Sequence, residues 1–198
     1  MESPNTFIEQ SYWQKNLLPA GIDEAGRGPL AGPVVAAAVI IPDSFDIPGI
    51  KDSKKLNPKK RKSLYDQITR KALSYGIGMI GPEEIDRINI LQAAIKAMKL
   101  AVENLSIKPD VLLVDGINKI NLSIHQKTFV KGDNKCISIA AASVLAKVTR
   151  DSIMDSYDRE YPLYRFIKHK GYPTREHFEI LRQYGPTDIH RKTFKGVL

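Results

Sequence analysis

Two adjacent carboxylates, Asp23 and Glu24, follow a short apolar run and precede a glycine-rich segment that contains an arginine. A second and longer apolar run, residues 34–41, comes directly after that segment. Runs of this kind are typical of a sheet interior, where an unpaired charge costs free energy. The acidic pair therefore needs a compensating group, and a divalent cation held by carboxylate oxygens meets that need. A structural pair neutralised by a salt bridge is the alternative interpretation.

Two further acids also stand where predicted strands end. Asp115 closes the apolar run 111–114, and Asp133 follows the predicted strand 125–130. Sites in α/β proteins are usually assembled at one edge of the sheet, where strands end. Carboxylates gathered there would repel one another and partly take up protons without a counterion. Mg²⁺ or Mn²⁺ would relieve that repulsion, and two such ions could activate a water and stabilise a leaving oxygen at a phosphodiester.

The sequence gives less support for a zinc site or a nucleotide-binding site than for a site that holds Mg²⁺ or Mn²⁺. The four histidines are far apart along the chain, and Cys136 is the only cysteine, so the Cys–Cys spacing of zinc sites is absent. The glycine-rich segment 26–33 lacks the Gly-Lys-Ser/Thr ending of a phosphate loop and leads into a predicted strand instead of a helix. These features argue against a zinc enzyme, an ATPase and a dinucleotide-binding enzyme.

The charge and the length of the chain indicate what kind of partner it binds and how many domains it has. With 30 lysines and arginines against 22 acids, the 198-residue chain carries a net charge of +8, which favours a polyanionic partner. The length fits one domain, residues 1–198, of which about residues 158–198 form a helical C-terminal subregion. The single cysteine, the lack of a signal peptide and the lack of a membrane-length apolar run predict a cytoplasmic protein without disulfides. We expect a monomer that does not contact membranes.

An α/β fold must position the acids. Apolar runs predict strands at residues 20–23, 34–41 and 111–115, and a loose alternation predicts a strand at residues 74–80. Residues 125–130 are the candidate for a fifth strand. Amphipathic spacing and capping residues predict helices at residues 58–73, 81–87, 90–105, 138–157 and 174–183. This order predicts a mixed five-stranded sheet flanked by helices. Because side chains alternate along a strand, Asp23 and Glu24 can share a site only if the extended backbone ends at this pair, and the glycines that follow permit such a turn.

Six motifs, in order along the chain, give the sequence its resemblance to a known family. They are residues 21–30 (GIDEAGRGPL), 52–56 (DSKKL), 113–116 (LVDG), 131–133 (KGD), 141–151 (AASVLAKVTRD) and 169–174 (HKGYPT). The ordered set resembles the ribonuclease HII family, the bacterial type 2 ribonucleases H. The resemblance extends over about residues 20–194, which is nearly the whole chain.

The resemblance implies a ribonuclease H-like fold and a metal-dependent endoribonuclease. Its substrates would be RNA–DNA hybrids and duplex DNA that contains ribonucleotides, cut on the 5′ side of the ribonucleotide to leave 5′-phosphate and 3′-hydroxyl ends. The implied catalytic and metal-binding residues are Asp23, Glu24, Asp115 and Asp133, the same four acids that the predicted strand ends single out. The implied cofactors are Mn²⁺ or Mg²⁺ ions, two during turnover.

The resemblance also implies residues that bind the substrate. In the family, the segment matching Gly26, Arg27 and Gly28 reads the ribose 2′-hydroxyl through its backbone, and glycine permits that close approach. A simple turn is the other interpretation of these glycines. Tyr172 matches a tyrosine that packs on the sugar at the RNA-to-DNA junction, although its setting between a glycine and a proline would also suit an ordinary loop aromatic.

Several other positions carry weaker implications. Lys54 and Lys147 lie inside matching motifs and either contact phosphates or are structural. Arg191 and Lys192 resemble a family tail with two arginines, and the lysine keeps the charge but loses bidentate geometry. Ile117 stands where relatives often have asparagine. The tail lacks a glutamine-led hydrophobic-aromatic motif, so we expect no docking to a sliding clamp through it.

Two alternatives to this function stay open at the level of sequence. One is another acid-cluster nuclease on the same fold, because architecture does not fix the substrate. The other is a basic module that binds RNA–DNA hybrids without cutting them, which the presence of all four acids argues against. Cutting of all-DNA duplex would favour the first alternative, and metal-independent binding without product would favour the second.

Overall fold

The structure, a computed structural model, describes residues 4–50 and 56–198. The strands are β1 (Pro19–Ala25), β2 (Val34–Ile40), β3 (Ser74–Ile80), β4 (Val111–Asp115) and β5 (His125–Phe129). The helices are α1 (Phe7–Trp13), α2 (Pro58–Lys71), α3 (Pro82–Ile88), α4 (Ile90–Glu103), α5 (Ile137–Glu160), α6 (Phe166–His169) and α7 (Arg175–Tyr184). Short 3₁₀ helices cover Gly132–Asn134 and Pro162–Tyr164. No helix in the described ranges is long and apolar enough to cross a membrane.

The five strands form one mixed sheet in the order β3-β2-β1-β4-β5. Strand β2 is antiparallel to both of its neighbours, whereas β1, β4 and β5 run parallel. Helix α4 packs on one face, through residues such as Ala97 and Met98, and α5 packs on the other through Ile139 and its alanines. The predicted mixed five-stranded sheet flanked by helices is therefore confirmed, and β1 lies at its centre.

Helix α5 lies unusually close to β1 because both contribute small residues. A Cβ atom at Gly21 would overlap the backbone of Ser138, so only glycine permits this contact. The alanines of α5, residues 140–142, are buried against the same face of the sheet. This close approach places the N-terminal end of α5 beside Gly21, two residues before the first acidic pair.

Helix α1 was not predicted, since the N-terminal segment reads as polar and mixed. It docks through Glu9, which is fully buried and accepts hydrogen bonds from the backbone N and the Oγ of Ser138 at 2.9 and 2.6 Å. These donors belong to the first turn of α5, where a carboxylate suits the positive end of the helix. Burial raises the pKa of Glu9 above its usual value.

Three of the four histidines, at positions 169, 177 and 190, pack together in the C-terminal part. The ring of His169 stacks on that of His177 at 4.4 Å between centroids, and His177 Nε2 lies 3.1 Å from His190 Nε2. His190 Nδ1 accepts from the backbone N–H of Thr187, so its Nε2 carries the proton that His177 accepts. The Nδ1 of His177 then donates to the carbonyl of Tyr172 at 3.0 Å.

This arrangement requires neutral imidazoles, and it predicts a loss of stability in acid. Burial lowers the pKa of both His177 and His190 to about 4, against about 6.5 in an unfolded chain. Between these values the unfolded state binds more protons, so the free energy of unfolding should fall as the pH is lowered from 6.5 toward 4. We expect a decrease on the order of 2–4 kcal/mol by pH 4.5, measured by urea denaturation. The variant His177→Gln should show a shallower slope, and equal slopes in the two proteins would contradict the assignment.

Candidate active site

Asp23 and Asp115 lie side by side at the ends of two adjacent parallel strands. The register pairs Ile22 of β1 with Val114 of β4, so the next residue on each strand is an aspartate. Ile22 and Val114 both pack on the α4 face, and alternation therefore turns both aspartates toward the α5 face. Asp23 is only 4% exposed there. The structure thus brings together two acids that are far apart in sequence.

Glu24 does not share a face with Asp23, which corrects the expectation that the extended backbone ends at this pair. The pairing of β1 with β2 continues through Glu24 and Ala25, and the chain turns only at Gly26, whose φ is +97°. The reason is that antiparallel β2 offers a partner as far as Val35, so nothing interrupts the extended backbone at the acids.

Glu24 instead approaches the second aspartate beyond the end of β4. That strand stops at Asp115, and Gly116 turns the chain away with a φ of +90°. Glu24 and Asp115 consequently line one cleft of about 220 Å³, together with Arg27, Lys131 and apolar side chains of α4. The cleft combines acidic groups, two cations and an apolar wall.

Asp133 is held next to this group by the turn after β5. Lys131 adopts a left-handed conformation with a φ of +55°, and the 3₁₀ helix Gly132–Asn134 follows. The backbone N–H of Gly132 donates to Asp115 Oδ1 at 2.6 Å, which places Asp133 one residue from that bond. Asp133 is buried, with 6% of its surface exposed. All four predicted acids therefore lie at the same end of the sheet.

Local donors compensate the negative charge at this end of the sheet. Asp23 Oδ1 accepts from the Glu24 N–H at 2.7 Å, and Asp133 Oδ1 accepts from Asn134 Nδ2 at 3.0 Å. Arg27 Nη1 lies 3.4 Å from Glu24 Oε1. Burial raises the pKa of Glu24, and the charge of Asp115 adds to that effect while Arg27 opposes it.

The acids are neighbours without forming a compact ligand cluster. In residues 4–50 and 56–198, no group of three or more His, Cys, Asp or Glu side chains is arranged to hold a metal ion. Convergence of the four acids on a shared ionic centre therefore stays a prediction. Their placement is fixed by the backbone, whereas their side-chain oxygens are oriented toward individual donors.

The two glycines that flank Arg27 have different surroundings. A Cβ at Gly26 would overlap the Arg150 guanidinium, and its positive φ also requires glycine. A Cβ at Gly28 would meet only Tyr172 Cε1, at 3.9 Å. The turn interpretation therefore accounts for Gly26 but not for Gly28, which is exposed and faces the tyrosine.

Tyr172 and Lys147 are neighbours, and Tyr172 faces the exposed glycine. The Tyr172 side chain is 40% exposed, and Lys147 Nζ lies 5.7 Å from the centre of its ring. Lys147 Nζ also lies 2.7 Å from Asp151 Oδ1 and forms an ion pair with it. Whether Lys147 contacts phosphate stays a prediction. The predicted contact of Lys54 lies outside the described residues.

Two fully buried arginines hold the glycine loop, by which we mean residues 26–33. Arg191 donates to the carbonyls of Gly26, Arg27, Pro29 and Gly32 at 2.6–3.1 Å. Arg150 donates to the carbonyls of Ala31, Pro33 and Lys170 at 3.0 Å. Burial is the main cause that lowers the pKa of Arg191 to about 9, and the charge of Arg150 adds to it.

Sequence reasoning missed this role, since it treated Arg191 as a tail cation and did not single out Arg150. A usable signal was present. A loop of glycines and prolines next to a buried strand leaves many carbonyls without ladder partners, and buried carbonyls need donors. A guanidinium with five N–H groups is the side chain best able to satisfy several of them.

Comparisons with known proteins show which family the chain resembles in sequence and in fold. A family model described as "Ribonuclease HII" matches residues 20–197. The chain is 54% identical over 189 residues to a ribonuclease HII of Syntrophus aciditrophicus (strain SB), covering 96% of this chain and 89% of that protein. The ribonuclease H2 from Pyrococcus horikoshii OT3 superposes with a TM-score of 0.76 at 29% identity, covering 91% of this chain and 95% of that chain. A chain from the PCNA:RNase HII complex of Archaeoglobus fulgidus gives a TM-score of 0.77 at 25% identity, with coverages of 90% and 96%.

The different surroundings of the two glycines predict different costs of substitution. Gly26→Ala should lower the free energy of unfolding by about 2–3 kcal/mol, because it combines backbone strain with an overlap at Arg150. Gly28→Ala should change it by no more than about 0.5 kcal/mol, since its Cβ would make only an ordinary van der Waals contact, 3.9 Å from Tyr172 Cε1. Urea denaturation of the two variants beside the unsubstituted chain measures both values. Equal losses in the two variants would contradict the assignment of the turn to Gly26.

Proposed function

The chain belongs to the ribonuclease HII family, and we propose that it hydrolyses RNA in RNA–DNA hybrids and nicks duplex DNA on the 5′ side of embedded ribonucleotides. Members of this family are metal-dependent endoribonucleases, which accounts for the enzyme class. The cut would leave 5′-phosphate and 3′-hydroxyl ends.

One observation carries the proposal: Asp23 and Asp115 lie near the C-terminal ends of adjacent parallel strands, with Glu24 and Asp133 beside them. Four acids at one end of a sheet create strong negative potential in a chain whose net charge is +8. Such a site would bind a cation, and that cation would also reduce the repulsion between the acids and a polyanionic substrate. A purely structural role would not require this many acids at one sheet edge.

The donor set fits hard divalent ions. Carboxylate oxygens are the ligands that Mg²⁺ and Mn²⁺ prefer, and the four acids would supply them for two ions. The chemistry that such ions supply is Lewis acidity toward a phosphodiester. Because burial and Asp115 raise the pKa of Glu24, cation binding and loss of a proton from Glu24 would be linked.

The remaining residues would bind and orient the substrate. Gly28 leaves room for a sugar to approach the backbone, and Tyr172 faces that space from the other side. Lys147, next to the tyrosine ring, would supply positive charge toward a phosphate. Arg27 is half exposed and paired with Glu24, so it would shield that acid from the approaching polyanion.

Removing the charge of the buried aspartate tests the metal assignment. Asp23→Asn keeps the shape of the side chain but weakens its hold on a cation, so turnover should fall at least about 1,000-fold while duplex binding changes less than about twofold. A labelled duplex with one ribonucleotide measures nicking in Mg²⁺, in Mn²⁺ and in chelator, and fluorescence anisotropy measures binding. The matched control is Asp66→Asn, a surface acid on α2. Full-rate cleavage by Asp23→Asn would refute the assignment.

Removing the exposed ring tests the role of Tyr172 at the junction. Tyr172→Ala should lower kcat for a duplex with one ribonucleotide by roughly 10–100-fold, with a smaller change in affinity, because the ring would orient the sugar. The control is Tyr184→Ala, whose side chain on α7 is similarly exposed, at 49% against 40%. If Tyr172→Ala and Tyr184→Ala cleave equally well, Tyr172 does not belong to the site.

The same duplexes separate the two alternative functions. Cutting of an all-DNA duplex at a comparable rate would favour another acid-cluster nuclease. Metal-independent binding with no product would favour a non-catalytic hybrid-binding module. Nicking confined to the 5′ side of the ribonucleotide would support the proposed function.

A further inference from the structure

The glycine loop is fixed by a residue near the other end of the chain. Arg191 is 165 positions from Gly26, and its side chain is fully buried. Its backbone is anchored to the same loop, since its N–H donates to the Leu30 carbonyl and the Gly32 N–H donates to the Ile189 carbonyl, both at 2.8 Å. These backbone hydrogen bonds between residues 189–191 and the glycine loop fix the position of the Arg191 guanidinium, in addition to the bonds that the guanidinium makes itself.

The guanidinium controls two consecutive peptide groups. Arg191 Nη2 donates to the Gly26 carbonyl at 2.6 Å, and Nη1 donates to the Arg27 carbonyl at 3.1 Å. In a trans peptide the carbonyl and the following N–H point in opposite directions. The N–H groups of Arg27 and Gly28 must therefore point away from Arg191.

The side to which these N–H groups point is accessible to a ligand. Arg27 and Gly28 are exposed, whereas Gly26 and Pro29 on either side of them are buried. Within the described ranges, neither of the two N–H groups has a hydrogen-bond partner. The Cβ direction of Gly28 leads to Tyr172 Cε1. The N–H groups of Arg27 and Gly28 are thus two oriented donors. Arg27 contacts Glu24 on one side, and Gly28 lies next to Tyr172 on the other.

We propose that Arg191 is a positioning residue for ribose recognition, because it holds the carbonyls of Gly26 and Arg27 so that the N–H groups of Arg27 and Gly28 face a hydroxyl oxygen of the substrate. This inference rests on the proposed function. The positive charge behind the two peptides also polarises them and strengthens their N–H groups as donors. Arg191 itself does not touch the substrate.

Lysine cannot replace the guanidinium in this role. Four carbonyls accept from three different nitrogens of Arg191, which present their N–H groups in a planar fork. An ammonium group has three donors around one nitrogen and cannot reach the same set of acceptors. Arg191→Lys therefore keeps the charge while releasing part of the loop, which separates positioning from electrostatic attraction.

The experiment compares binding of two duplexes, one all-DNA and one with a single ribonucleotide, in the Asp23→Asn background to prevent turnover. The readout is the ratio of the two Kd values. Arg191→Lys and Arg191→Met should reduce the preference for the ribonucleotide about tenfold, whereas the Kd of Arg191→Lys for all-DNA duplex should stay within about twofold. The control Lys195→Met removes one charge from an exposed tail position and should keep the preference.

Each outcome decides the matter. A folded Arg191→Lys variant with an unchanged preference would overturn the inference while leaving the proposed function intact. A background protein without any preference would contradict the proposed function, and this inference with it. If the Arg191 variants do not fold, the amide ¹H–¹⁵N resonances of Arg27 and Gly28 in the unsubstituted chain provide the test. They should shift with the ribonucleotide duplex and not with all-DNA duplex, and unmoved resonances would overturn the inference.

Discussion

Burial of β1 on both faces is the constraint on which the rest of the structure depends. The strand lies between β2 and β4, with α4 on one side and α5 on the other. Only a chain with glycine at position 21 allows α5 to approach closely enough to cover the strand end. Because two adjacent acids lie near the C-terminal end of this strand, side-chain alternation directs them to opposite faces of the sheet. Neighbouring segments have to supply donors or cations on each side.

The glycine loop shows how this constraint extends beyond the sheet. A chain that leaves a fully buried strand must satisfy its carbonyls before it reaches the next one. Here two buried guanidinium groups satisfy six of the loop's carbonyls, at positions 26, 27, 29, 31, 32 and 33. The loop is consequently rigid where its glycines would otherwise make it mobile. The backbone N–H groups of the loop are therefore held in place before any ligand arrives. Preorganised donors are more effective than donors that must be ordered during binding.

The sequence predicted the elements whose signals are local. The apolar runs predicted β1, β2 and β4, and the run at residues 34–41 indicated a sheet interior, which the fully buried β2 confirms. The acids at strand ends followed from the same patterns, because Asp115 directly ends an apolar run. The sequence did not show that β1 continues past Glu24, since that depends on the length of the pairing with β2. Nor did it reveal α1, the histidine cluster or the two arginines, whose roles arise from contacts between distant segments.

The late position of Arg191 has a consequence for the order of events during folding. Contacts between segments this far apart in sequence have high loop-closure entropy and depend on prior formation of the sheet. A chain emerging during synthesis presents all four acids before the guanidinium that orders the glycine loop becomes available. An incomplete chain would therefore carry the acidic end of the sheet without an ordered glycine loop. The glycine loop is thus ordered last, when the segment around Arg191 pairs with Leu30 and Gly32.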